Sequence, residues 1–344
     1  VCRGERKDWW RRRGPKGRFW YADVDDRRIA DPEEISRIHG LRIPPAWTNV
    51  RIAPLAGCKL QAVGIDTAGR IQYIYHPEFA ARQQHAKYAK MVKFGDCLPR
   101  LRAITTADMR VPGLGKDKVL AVVVRLISLL YFRVGSERNV RRYRTFGVTT
   151  LRNHHLSVHP NGELTFSFVG KHHIRQRRVL VDARLAEIVS EIKAIGGSRL
   201  FQYLDDEGKA HPVTAADVNR YIRCAAGDCF SAKDMRTWGG SLHAALALAE
   251  MGAASSVTQA RRNIVHAVKQ VAECLGNTPA VCRSCYIHPV IFDRYMEGHT
   301  LAEYRKKAER YVRAHEAELY VEEVELLKLF RSHGSTGSST ASEE

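Results

Sequence analysis

Apolar residues along this chain change their period as it proceeds, and the changes divide it. Between residues 19 and 75 they come in short runs, at 19–24, 50–53 and 70–75, broken by Pro, Gly and Asp. The last run alternates Ile71, Tyr73 and Tyr75 against Gln72 and Ile74, the period of two that a strand requires. From about Pro77 the spacing turns helical. Residues 84–94 read as a helix bridging two domains, and residues 95–99, with Gly95 and Pro99, read as a hinge, which puts a boundary near residue 98. Residues 116–133 read as a core helix. A small sheet follows: residues 155–159 and 163–169 flank Asn161 and Gly162, a strong short-range hairpin signal, and residues 177–181 supply a third strand. Helices then resume. Thr214 and Ser231 precede Asp217 and Asp234 by three residues, the spacing of N-capping. Residues 256–275 form another helical stretch, and residues 300–331 a long charged one. No internal repeat is present. The expected fold class is α+β: a small antiparallel β-rich N-terminal domain over residues 1–98, a mostly α-helical domain with a small three-stranded sheet over 99–333, and a disordered Ser/Thr/Gly-rich tail over 334–344.

Charge adds a partner. Lys and Arg number 55 against 37 Asp and Glu, a formal net charge of +18, which raises affinity for any polyanion. The first twenty residues carry eight Lys or Arg against two acids and read as a mobile basic arm, or one that orders on DNA. A membrane is the less suitable polyanion. The most apolar stretch, residues 119–132, is too short to span a bilayer and is interrupted by Arg125. No stretch near the start has the order of a signal peptide, and the eight cysteines are scattered, which points to reduced thiols inside a cell. Cys282 and Cys285 form a CxxC, but its only companions, Cys224 and Cys229, are too widely spaced for a second zinc-binding pair. The acids Asp23, Asp25 and Asp26 stand beside Arg27 and Arg28 and read as a turn at a strand end. No metal and no cofactor is expected.

Four segments carry candidate chemistry. YFRVGSERN places Arg133 at the end of the core helix. FVGKHHIRQRRVLV places Lys171 in a turn between strands. KDMRTWGGSLHAA places Arg236 in the first turns of a helix, and LGNTPAVCRSCYIHP places Asn277 nine residues before Tyr286. Alone, each has a bland reading: an arginine at a helix end is usually an ion-pair partner, and a tyrosine beside apolar residues is usually core. The ordered set Arg, Lys, KxxR, Tyr is much harder to obtain by accident.

That set resembles the catalytic domain of the type IB DNA topoisomerases, above all the small enzymes of poxviruses and some bacteria. The KDxRT motif around Arg236 and the SCYIHP stretch around Tyr286 are the most specific parts, and QYIY at 72–75 is similar to the family's small DNA-clamping domain. The resemblance covers the chain apart from the arm and tail. It implies a monomer that relaxes supercoiled duplex DNA without metal or ATP, with no obligate protein partner, in the cytoplasm of a bacterium on the nucleoid DNA. It implies that Tyr286 attacks the phosphodiester to give a 3′-phosphotyrosyl link, that Arg133 and Arg236 steady the phosphoryl oxygens, and that Lys171 protonates the leaving 5′-oxygen. These residue types suit the chemistry. A phosphotyrosine keeps the energy of the bond it replaces, so ATP is not needed, and no GxxxxGK[ST] loop is present. Two guanidiniums can hold a phosphoryl group through paired donors. A lysine among cations such as Arg175, Arg177 and Arg178 suits a general acid. Arg138, Arg141 and Tyr143, together with Lys233 and with Gln72, Tyr73 and Tyr75, are expected to contact DNA.

One position departs from the pattern. Asn277 stands where the family commonly has His; an amide donates a hydrogen bond but carries no charge. His172 and His173 beside Lys171 read either as phosphate contacts or as solvated side chains, His288 as structural or catalytic, and His243 and His266 as surface or core. Two other functions fit parts of the chain. A tyrosine recombinase shares the nucleophile and paired arginines, but usually has HxxR where this chain has KDMR. A non-catalytic basic DNA-packaging protein accounts for the charge and not for the ordered set.

Overall fold

The computed structural model describes residues 8–315 and 319–334. The chain divides into two compact units, Val1–Tyr88 and Ala89–Glu344. The first holds strands β1 (Trp10–Arg13), β2 (Trp20–Ala22), β3 (Thr48–Ile52), β4 (Leu60–Ile65) and β5 (Ile71–Tyr75), with helix α1 (Pro32–Gly40). The strands form one antiparallel sheet in the order β2-β1-β3-β4-β5. Helix α1 starts where Asp31 accepts the amide of Glu33 and Pro32 presets the first turn. Tyr21, Ile38, Val50, Ile52 and Ala62 make its core, with Trp10, Trp47 and Ile74 packed against them.

This arrangement corrects the reading of the basic N-terminal arm. Residues 1–7 lie outside the described residues, but Trp10–Arg13 is a strand inside the sheet. Trp10 buries against the core, and Arg12 donates to the carbonyls of Pro44 at 3.1 Å and Trp47 at 2.5 Å. Asp23 accepts the amides of Asp25 and Arg27 in a tight turn, and Asp26 pairs with Arg13 at 2.8 Å.

Helix α2 (Pro77–Asp108) runs unbroken through residues 95–99, so no hinge lies there, and the division into units falls at residue 88 rather than 98. Gly95 serves packing instead of flexibility. A Cβ on it would come within 2.6 Å of both Trp238 and Leu327. A glycine that reads as a breaker in sequence is here the residue that lets an indole touch the backbone.

The second unit continues with α3 (Lys116–Leu130), α4 (Glu137–Tyr143), strands β6 (Leu156–Val158), β7 (Glu163–Val169) and β8 (Arg175–Val181), and α5 (Ala183–Ala194). A two-stranded ribbon, β9 (Gln202–Leu204) and β10 (Ala210–Pro212), leads into α6 (Ala215–Ala226), α7 (Ala232–Met251), α8 (Val257–Leu275), α9 (Pro279–Cys285), α10 (Val290–Met296), α11 (Arg305–His315) and α12 (Val321–Gly334). The β6-β7-β8 sheet is antiparallel, and Gly162 takes the left-handed conformation (φ 77°) that its hairpin needs. Thr214 with Asp217 and Ser231 with Asp234 form reciprocal caps on α6 and α7. Helix α3 is buried almost all round, from Val119 to Leu130, and Tyr131 ends it in the left-handed conformation. Among the described residues no helix is long and apolar enough to cross a membrane.

The long helix expected over 300–331 is two helices. Arg305 is paired from one helix to the other, and Leu319 and Tyr320 lie outside both. The Glu323 carboxylate accepts the amide of Tyr320 at 3.1 Å, and Arg305 at the start of α11 reaches Glu322 and Glu325 of α12 at 3.4 and 2.5 Å. Residues 335–344, the expected disordered tail, lie outside the described residues.

One histidine ties stability to pH. His155 is 8% exposed, packed against Phe146 at 4.5 Å, and its Nδ1 accepts the amide of Arg152 at 2.9 Å. That hydrogen bond requires neutral Nδ1. Burial, with His154 and Arg152 adding to it, pushes the pKa from 6.5 down to about 4. Between these values the unfolded chain binds a proton that the folded chain refuses, so stability falls as pH drops from 6.5 towards 4. The loss attributable to His155 is on the order of 1–3 kcal/mol. The melting temperature of His155→Gln should therefore decline less steeply than that of the parent over this window. Parallel declines would contradict it.

Candidate active site

The site is assembled at the C-terminal end of α8. Gly276 closes that helix in the left-handed conformation (φ 59°), and the amide of Asn277 returns to the carbonyl of Ala272 at 2.9 Å. The carbonyls just before and at the turn then face arginines from elsewhere in the fold. Arg133 donates to the carbonyl of Gly276 at 2.8 Å and to Oδ1 of Asn277. Arg236 donates to the carbonyl of Leu275 at 2.9 Å and to that of Tyr131. A helix C-terminus carries partial negative charge, so it holds cations without a carboxylate. Among the described residues no carboxylate pairs with either arginine.

Each arginine is held by its own surroundings: the core helix expected over 116–133 ends at Leu130, so Arg133 lies in the loop after α3. Gly135 and Gly147 pack backbone to backbone two residues beyond Arg133; a Cβ on Gly147 would lie 2.5 Å from the Arg133 carbonyl. The amide of Val148 donates to that carbonyl at 2.8 Å. Arg236 lies in the second turn of α7 and is 4% exposed. One turn further on, Gly240 backs onto Tyr286, where a Cβ would come 2.6 Å from the Tyr286 carbonyl. Helix α9 delivers Tyr286 as its C-cap, with the Tyr286 amide bonded to the Cys282 carbonyl at 2.9 Å. The Arg236 guanidinium then sits 5.2 Å from the centre of the half-buried Tyr286 ring.

The electrostatics are those of two cations crowded out of water. Burial, then Arg236, pushes Arg133 down to about 10, while Tyr286 acts in the opposite sense. Burial also lowers Arg236, and Tyr286 raises it. Two donors of the site are buried, Nε of Arg236 and Nδ2 of Asn277, and their side chains lie against Tyr286 and the Cys282 thiol. Because Oδ1 of Asn277 takes the Arg133 guanidinium, its amide is oriented with Nδ2 left to donate. Both donors lie beside the Arg133 guanidinium, an arrangement that suits an anion with several oxygens.

The structure thus brings together Arg133, Arg236, Asn277 and Tyr286. Lys171 is exposed at the tip of the β7–β8 hairpin, where His172 and His173 adopt left-handed conformations (φ 63° and 59°). Lys233 is exposed in the first turn of α7, and its neighbour Asp234 pairs with Lys90 at 2.8 Å. Arg138 and Arg141 are exposed on α4, with Tyr143 half-buried at its end. In the N-terminal unit Tyr73 and Tyr75 are each 46% exposed on the edge strand β5 and stack at 6.3 Å, whereas Gln72 is committed to Asp66 at 2.8 Å. His288 stacks on Phe330 at 4.5 Å, and its amide bonds to Ser241. Cys282 is buried and Cys285 half-buried; among the described residues no group of three His, Cys, Asp or Glu is placed to hold a metal.

The sequence reading missed Gln176, and it treated Arg178 only as a cationic neighbour. The strand register sets Gln176 opposite Phe168 and Arg178 opposite Phe166. Period-two alternation along RQRRV carries that signal, because it separates Gln176 and Arg178 from the exposed Arg175 and Arg177.

Comparison with known proteins points one way. Residues 76–314 match the family model described as the catalytic core of eukaryotic DNA topoisomerase I, and residues 18–66 match that of the bacterial DNA topoisomerase IB N-terminal domain. The chain is 30% identical over 288 residues to DNA topoisomerase 1B of Acanthamoeba polyphaga mimivirus, covering 82% of this chain and 85% of that protein. It is 21% identical to DNA topoisomerase 1B of Vaccinia virus strain Copenhagen, over 68% of this chain and 72% of the relative. It is 20% identical to DNA topoisomerase 1 of Rabbit fibroma virus, over 80% and 88%.

Proposed function

The chain belongs to the type IB DNA topoisomerases, and from that membership we propose that it relaxes supercoiled duplex DNA by cutting, swivelling and resealing one strand, without ATP or metal. The observation that carries the proposal is the gathering of Arg133, Arg236 and the Asn277 amide at the end of α8 beside Tyr286, with no carboxylate among the described residues pairing with either arginine. A phosphodiester supplies oxygens that guanidiniums and an amide can share.

In the proposed reaction the Tyr286 oxygen attacks phosphorus and gives its proton to solvent water. The bond from phosphorus to the 5′-oxygen breaks, and that oxygen takes a proton from Lys171. A 3′-phosphotyrosyl link remains. Charge gathered on the two non-bridging oxygens is met by Arg133, Arg236 and the Asn277 amide, held in place beforehand by the end of α8. Asn277 then serves as a neutral donor, which needs no charge. After rotation of the free strand the 5′-hydroxyl attacks the phosphotyrosine, and each proton transfer runs backwards. Lys171, on an exposed turn, reaches the leaving oxygen once the hairpin meets DNA.

Duplex contacts are assigned to Arg138, Arg141 and Tyr143 on α4, to Lys233 beside Arg236, and to Tyr73 and Tyr75 on the sheet edge. Gln72 joins them only by giving up Asp66. We take the protein to act as a monomer on the DNA of a bacterial nucleoid.

Relaxation of a supercoiled plasmid should persist in EDTA without ATP, because guanidiniums and an amide do the work of a metal. Strict dependence on magnesium would overturn the mechanism. Modest stimulation would leave it standing, because divalent ions also weaken phosphate contacts and so speed release of DNA.

A further inference from the structure

Four consecutive carbonyls at the end of α8 hold three guanidiniums, and only two of those belong to the site described above. The third is Arg178. It donates to the carbonyl of Cys274 at 2.7 Å and that of Glu273 at 3.4 Å, next to the carbonyls of Leu275 and Gly276 that take Arg236 and Arg133. The same guanidinium nitrogen bonds Oε1 of Gln176 at 3.0 Å. Gln176 in turn lies flat on the helix end, since a Cβ on Gly276 would come 2.6 Å from its Oε1. Arg178 and Gln176 stand on β8, seven and five residues after Lys171, so one guanidinium joins the strand leading from Lys171 to the platform that holds Arg133 and Arg236.

A purely structural role explains this poorly. Burial disfavours the Arg178 cation, and among the described residues no carboxylate offsets it. An apolar side chain could fill such a half-buried place without that cost. An arginine adds direction: its planar fork spans two elements and sets their register.

We propose that Arg178 is a positioning residue for the proton-transfer step. It registers the β7–β8 hairpin against the end of α8, so that Lys171 meets the leaving 5′-oxygen in the frame that Arg133 and Arg236 set for the phosphoryl group. The proposal rests on the reading of Lys171 as the general acid.

The test measures single-turnover cleavage of a short duplex by the full chain carrying Arg178→Met or Arg178→Lys. Each variant is run on an ordinary phosphodiester and on a substrate with sulfur in place of the bridging 5′-oxygen. A thiolate leaves without a proton, so a defect in proton delivery disappears on sulfur. General-acid catalysis contributes about 10²–10⁴-fold, and Arg178→Met should lose part of it, slowing the ordinary substrate by about 10- to 100-fold. The sulfur substrate should slow by less than about threefold. Arg178→Lys keeps the charge and one donor to Cys274, and should recover part of the ordinary rate. The ratio of the two rates comes from one preparation, so a reduced folded fraction cancels from it. Equal slowing on both substrates would overturn the positioning role. Lys171→Ala, run alongside, separates the two ways of failing. If its loss is selective while that of Arg178→Met is equal, the positioning role alone falls. If both variants lose equally on both substrates, the general-acid reading falls with it.

Discussion

Tyr286→Phe is expected to form no covalent adduct with DNA while binding duplex as the parent does. Only the phenolic oxygen is removed, and the ring that the Arg236 guanidinium faces at 5.2 Å is kept. The backbone that delivers the residue is unaffected, because the amide of residue 286 still bonds the Cys282 carbonyl and Gly240 still backs onto its carbonyl. The measurement is transfer of a labelled strand to protein, with a parallel binding titration. A surviving adduct would place the nucleophile elsewhere. The fold makes the other candidates poor. Tyr295 is 2% exposed, and its hydroxyl is held between Asn263 at 2.7 Å and the Gly252 carbonyl at 2.8 Å. Tyr221 is 8% exposed, and its hydroxyl donates to Asp108 at 2.5 Å. Burial and that carboxylate push the Tyr221 pKa well up, the wrong direction for a nucleophile.

Lys171→Ala carries the second large effect. Cleavage of an ordinary phosphodiester should slow by about 10²–10⁴-fold, the range of general-acid catalysis. On a substrate with a bridging 5′-sulfur the rate should stay close to that of the parent. Lys171 is exposed in the free protein and rides on a turn with two left-handed residues, His172 and His173. Its mutation therefore removes no core contact, and instability cannot account for a slow variant. Equal losses on oxygen and sulfur would show that Lys171 only binds DNA. The proton would then have to be sought among Arg133, Arg236 and the neighbouring His172 and His173.

What was legible in the residues alone is whatever a few neighbours decide among themselves. The hairpin at Asn161 and Gly162 needs only a glycine that accepts a positive φ, and it forms. The caps of α6 and α7 need a hydroxyl and a carboxylate three residues apart, and both form. The alternation of residues 71–75 marks a strand because side chains on a strand change sides at each step. The order of Arg133, Lys171, Arg236 and Tyr286 is likewise visible in sequence. The fold decided what depends on partners far along the chain. Gly95 reads as a hinge until Trp238 and Leu327, well over a hundred residues away, are found against it. Trp10–Arg13 reads as a loose basic arm until Pro44 and Trp47 supply acceptors and the sheet supplies a core. Residues 300–331 read as one helix until Arg305 pairs with Glu322 and Glu325 across a break. The site shows the same division. Sequence names the arginines, but what holds them is a run of backbone carbonyls from Glu273 to Gly276, and backbone groups have no letter in a sequence. Only the closing of α8 by Gly276, with Arg133 arriving from the loop after α3, Arg178 from β8 and Arg236 from α7, turns scattered cations into one cradle.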